Sequence, residues 1–185
     1  MKKALIILSS TLVAVGAFAQ GTVNFAARVT GVYDAPVFLD TVGGPNKASG
    51  AAYMAQLYAG PSASALAAIG SPVPFLTGTG AGYWRSAALA IPSVAPGATA
   101  SVQIRAWATS AGATYEAALA SGSGFGSSTP ILSVVTGGAG SPPSLPTDLT
   151  GLTSFAISGG VVIPEPSVLA LGALGGLALL IRRRK

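Results

Sequence analysis

The chain has 185 residues, half of them hydrophobic, with 8% charged residues, 25 glycines, 13 prolines, and neither cysteine nor histidine. One ordinary domain fits in that length once targeting segments are set aside. The missing residue types exclude disulfides, thiol nucleophiles, cysteine-based metal sites and imidazole acid–base chemistry. The formal charge of +5 sits at the ends: Arg28, Lys47, Arg85 and Arg105 balance Asp34, Asp40, Glu116 and Asp148 between Gly21 and Ile163. A nucleic-acid face needs clustered Lys and Arg, so no nucleic-acid partner is expected.

The N-terminus reads MKKALIILSSTLVAVGAFAQ, with Lys2 and Lys3 before an apolar stretch that ends at Ala17-Phe18-Ala19. A basic start, a short apolar core and small residues at the A-x-A positions predict a secretory signal peptide over residues 1–19. Signal peptidase is the expected partner, reading Ala17 and Ala19 and leaving Gln20 as the mature first residue.

From residue 20 to 161 the pattern predicts a β-rich exported domain. Thr22–Val29, Pro36–Asp40, Ala51–Ala59, Tyr83–Ile91, Ala100–Thr109, Ile131–Thr136 and Leu152–Ser158 are candidate strands between Gly/Pro/Ser turn clusters. In the third, Tyr53, Ala55, Leu57 and Ala59 alternate with Met54, Gln56 and Tyr58. The fifth sets Val102, Ile104 and Ala106 on one face and Ser101, Gln103, Arg105, Trp107 and Thr109 on the other. Ser62–Ile69 and Tyr115–Ala120, the latter after Thr114, are expected as short helical connectors. Many short strands and few helices point to an all-β fold, an antiparallel β-sandwich of jelly-roll-like form.

The chain closes with VIPEPSVLALGALGGLALLIRRRK. Its apolar run, residues 168–181, rises ~21 Å as a helix, against a hydrocarbon core of ~30 Å. Arg182, Arg183, Arg184 and Lys185 follow at once, the arrangement of a marginal transmembrane helix with a cytoplasmic basic tail whose long side chains extend its reach. Pro164-Glu165-Pro166 keeps the preceding backbone extended and starts the helix sharply.

These three parts, over residues 162–185, resemble the PEP-CTERM sorting signal of Gram-negative bacteria. The resemblance implies that exosortase, an intramembrane protease, removes the tail and delivers the protein to the cell surface or extracellular matrix. The stretches GTVNFA, AQLYAGP, GTGAGYW and VAPGATASVQIRAW resemble exported domains that accompany such tails in verrucomicrobial-type proteins; they imply no functional residues. Permanent anchoring as a bitopic membrane protein is the alternative outcome for the same tail. A sortase signal is excluded, because Asp148-Leu149 follow Leu145-Pro146-Thr147.

Chemistry is sparse. Gly78–Gly82 lacks the Lys-Ser/Thr end of a phosphate loop and the glycine spacing of a dinucleotide fingerprint, and no Gly-x-Ser-x-Gly elbow occurs at Gly122–Gly126. Four scattered acids argue against a paired-carboxylate hydrolase, so the expectation is a protein that is not an enzyme, with no cofactor and no metal. Trp84, Arg105 and Trp107 are the candidates for glycan contact, since indole faces stack on sugar rings. They set up an alternative function as an exopolysaccharide-binding module, which requires both indoles to be exposed on one face.

Overall fold

The computed structural model describes residues 20–158, which form twelve short strands and one α-helix. In chain order the strands are β1 (Gly21–Phe25), β2 (Arg28–Val29), β3 (Tyr33–Asp34), β4 (Val37–Leu39), β5 (Tyr53–Gly60), β6 (Ala67–Pro74) and β7 (Ala87–Ile91). After them come β8 (Thr99–Ala108), the helix α1 (Tyr115–Ser121), then β9 (Phe125–Ser127), β10 (Leu132–Val135), β11 (Thr147–Asp148) and β12 (Phe155–Ile157). The fold is mostly β, as expected. The predicted signal peptide 1–19 and the predicted helix 168–181 lie outside the described residues. Among the described residues, no helix is long and apolar enough to cross a membrane.

The largest sheet runs β10-β8-β5-β6, with β9 also paired to β8. A three-stranded sheet, β11-β1-β7, and the pairs β4–β12 and β2–β3 complete the framework. Not every ladder is antiparallel: β1 pairs with β11, and β4 with β12, in parallel. The antiparallel expectation is corrected there. Parallel neighbours need long crossovers, and both pairs join the start of the domain to its end.

Period-two alternation reports on β5 and β8 faithfully. Ala55, Leu57 and Ala59 enter the main core together with Val102, Ile104 and Ala106, in one cluster with Val23, Phe25 and Ile91 of the smaller sheet. Fully burying a side chain such as Leu57 or Ile104 stabilises the fold by roughly 1.5–3 kcal/mol. The opposite face of the same strands is also covered. There Tyr58, Trp107, Tyr115 and Ala118 form a second cluster, with Met54, Leu66 and Phe125 against it.

Helix α1 supplies that cover. Thr114 caps it, its hydroxyl accepting from the Ala117 N–H at 3.2 Å, and Gly122 ends it in the left-handed region at φ 77°. The other expected helix does not form. Ser62 and Ser64 bond to one another at 3.2 Å, the Ala65 N–H closes a turn onto the Ser62 carbonyl, and β6 begins at Ala67. The open edge of β5 offers unpaired backbone groups, and register places Ile69 opposite Leu57 so that its side chain is buried. That tertiary pairing outweighs the local helical preference of an Ala-rich segment. Several predicted strands are likewise shorter than expected, Leu152–Ser158 narrowing to Phe155–Ile157. Thr22–Val29 breaks after Phe25, where Ala26 and Ala27 are buried, and Tyr83–Ile91 becomes a strand only from Ala87.

The two ends of the domain lie at opposite poles of β8. Near its Thr99 end, Gly21 bonds to Val94, and Thr22 bonds to Gly137 beside the Thr136–Ala98 bond. At its Ala108 end, the Ala108 N–H donates to Gly124 at 2.7 Å and the Gly124 N–H donates to Ser158 at 2.8 Å. Ten residues of strand put ~30 Å between these poles.

Candidate functional site

The residues singled out for glycan contact divide between two interiors. Trp84 is 4% exposed, stacked on Phe25 at 5.0 Å and edge-on to Phe75 at 5.8 Å. Its Nε1 donates to the Phe25 carbonyl at 3.3 Å. Trp107 is 0% exposed and packs edge-on to Tyr115 at 6.5 Å, with no hydrogen-bond partner for its Nε1 among the described residues. Trp84 belongs to the main core and Trp107 to the α1 cluster, so the indoles form no shared platform. The expectation of exposed, co-facial tryptophans is corrected. With few large side chains available, the domain uses both as core material.

Arg105 does share a face with Trp107 and Gln103, as alternation on β8 requires. Its guanidinium carbon lies 4.1 Å from the Tyr58 ring centroid and 5.0 Å from that of Tyr115. Arg105 Nε donates to Gln103 Oε1 at 2.9 Å, and one terminal nitrogen stands 3.7 Å from Glu116 Oε1. The Tyr58 hydroxyl donates to that same Glu116 oxygen at 2.7 Å. Gln103 in turn donates to the Ser128 carbonyl at 3.2 Å. This hydrogen bond from Tyr58 holds the Glu116 carboxyl below the ordinary glutamate range, with Arg105 adding to the effect. Burial and the same carboxylate push the Tyr58 hydroxyl well above its ordinary value. Every polar group named in this network already has a partner within the protein, so it fastens α1 to the sheet.

Sequence reasoning placed Tyr58 on the correct face of β5 but gave no sign of its partner. Glu116 is the acidic residue in the first turn after a Thr cap, a pattern that marks a helix start rather than a contact 58 residues away.

The remaining acids are dispersed. Asp34 accepts from the Tyr83 hydroxyl at 2.8 Å, and Asp148 accepts from Asn24 Nδ2 at 2.7 Å. Asp40 occupies a turn at φ 65°, its N–H bonded to the Ile157 carbonyl. No group of three acids is assembled among the described residues. A shallow cleft of about 250 Å³ opens beside Arg28, Thr79, Tyr83 and Ser86. Lys47 covers the Tyr83 ring at 5.6 Å.

Gln20 is exposed at the first pole, whereas Ala17 and Ala19 lie outside the described residues. Pro164, Glu165, Pro166, Arg182, Arg183, Arg184 and Lys185 also lie outside them. Comparison with known protein families decides what those last residues are: residues 162–185 match the PEP-CTERM protein-sorting motif. The tail is a PEP-CTERM sorting motif. Neither a curated protein nor a solved structure matches the chain. The PEP-CTERM match covers 24 residues, and it supports an exported protein targeted to exosortase. The site with recognisable function is therefore the PEP-CTERM tail.

Proposed function

We propose that this is a non-enzymatic protein of the cell surface or extracellular matrix. It is exported behind a signal peptide cut after Ala19 and released from a transmembrane helix at residues 168–181 by exosortase. The observation that carries this reading is the sorting motif at residues 162–185. In it Pro164-Glu165-Pro166 is the target sequence, the apolar run holds the tail in the lipid, and the basic end stays in the cytoplasm. A marginal span suits a segment that is to be handed over and cut. The dispersed acids of the exported domain, three of them tied to different partners, favour a structural role over hydrolysis. We take its facing sheets as a jelly-roll-like sandwich, and its resemblance to verrucomicrobial-type exported domains accords with the same role.

The test is mass spectrometry of the intact protein from its native cell envelope and medium. A species that begins at Gln20 and ends near Pro166 is expected. A mature species that retains Arg182–Lys185 would replace sorting by permanent anchoring.

A further inference from the structure

The two poles of the domain, combined with the short distance to the tail, restrict how the domain is carried. Five residues separate Ser158 from Pro164, and Val168 is ten peptide steps beyond Ser158. Ten steps span at most ~36 Å. The headgroup layer takes up ~5–8 Å of that distance before the hydrocarbon begins.

An inverted domain, with its Gln20 pole on the membrane, raises Ser158 by the ~30 Å length of β8. Adding the headgroup layer brings the requirement to ~35–38 Å, at or past full extension. The upright orientation needs no stretching. Reach therefore disfavours the inverted orientation and leaves the pole where β8 and β12 end and β9 begins as the one nearer the membrane.

That pole also has the surface for it. Because β4 and β12 run in parallel and Leu39 stands opposite Ile157, the loop after β4 leaves the sheet beside the chain exit at Ser158. The Asp40 N–H bonds to Ile157, and Val42 follows with 58% of its surface exposed. The neighbouring turns at Thr109–Gly112 and Gly122–Gly124 consist of Thr, Ser, Ala and Gly. Across these three segments, with the loop taken as Asp40–Gly44, Asp40 is the one charged residue. Such a surface meets little repulsion from anionic headgroups.

We propose that the Ser158 pole, led by the Asp40–Gly44 loop and Val42, rests on the lipid headgroup layer while the sorting tail is attached. Leu145, on the opposite pole beside Gly137 and 85% exposed, points away from the membrane. This rests on the reading of residues 168–181 as membrane-inserted.

The chain has no cysteine, so Val42→Cys and Leu145→Cys each carry a single fluorescent probe. The full uncut chain, made in a host without exosortase, is placed in phosphatidylethanolamine–phosphatidylglycerol vesicles bearing a headgroup quencher. The expected result is several-fold stronger quenching at position 42 than at 145. A flexible Gly-Ser insertion of ~20 residues after Ser158 abolishes the difference by freeing the domain to tumble. Equal quenching with the native spacing, or stronger quenching at 145, overturns the proposal and leaves membrane insertion intact. A chain that fails to float with the vesicles removes the insertion reading and this proposal with it.

Discussion

The Tyr58 hydroxyl and the Glu116 carboxylate meet at 2.7 Å across 58 residues of sequence, joining the central strand β5 to the first turn of α1. Arg105 lies against the Tyr58 ring and beside the same carboxylate, so one ring, one cation and one anion secure the helix. Replacing Tyr58 by Phe keeps the ring under Arg105 and removes only the hydroxyl. The expected loss is about 1 kcal/mol, read as a lower urea midpoint with an unchanged slope. Arg105→Ala should cost more than Arg105→Lys, since the guanidinium plane contacts two rings.

Acid acts on the same pair. Glu116 has a lowered folded value relative to its ordinary 4.5, so its contribution is complete above pH 4.5 and disappears as pH falls through the folded value. Tyr58→Phe removes the largest cause of that lowering. Urea unfolding followed between pH 6 and pH 3 should show a shallower acid-side decline in the variant.

The alkaline limb has the opposite sign. Burial, reinforced by Asp148, pushes half-buried Tyr33 from 10.0 up to about 12. Its contribution is complete below pH 10.0 and is lost as pH rises through about 12, because the unfolded chain ionises first. Tyr33→Phe should flatten the fall in stability over that window. In the parent protein, phenolate absorbance should appear late and together with unfolding.

Trp107 distinguishes core packing from ligand contact. Trp107→Ala should cost about 3–5 kcal/mol and prevent α1 from docking. Trp107→Phe also deletes the indole N–H that has no partner among the described residues, and should be milder by at least half. The emission of the parent protein should be blue-shifted and resist aqueous quenchers, because both indoles are buried.

Gly126 tests the closure of the Ser158 pole. A Cβ there would collide with the carbonyl of Ala156, on the strand that β9 packs against. Gly126→Ala should cost about 1–3 kcal/mol as an overpacking change. Amide exchange should speed up at Gly124 and Ser158 before it does in the interior of β5.

Local chemistry was sufficient for several elements. Alternation along β5 and β8 identified the residues of each face, and Thr114 marked the start of α1, because both signals act between near neighbours in the chain. The Pro-Glu-Pro, apolar and basic succession of the tail could be read in the same way, since its meaning lies in sequence order. Of the network around Arg105, the shared face with Gln103 and Trp107 was legible. Its partners Tyr58 and Glu116 became identifiable only when α1 docked.

The sequence alone determined the β-rich character, the neutral exported region and the sorting tail. Tertiary structure alone decided that Trp84 and Trp107 are interior, that the expected helix Ser62–Ile69 gives way to a turn and the edge strand Ala67–Pro74, and that β11 and β12 return in parallel to the first strands. It also decided that the chain enters and leaves the domain at opposite poles. The physical reason is range. Periodicity and capping are properties of adjacent residues, whereas burial of a large side chain depends on which distant surface arrives to cover it: for Trp107 largely a seven-residue helix, for Trp84 the rings of Phe25 and Phe75.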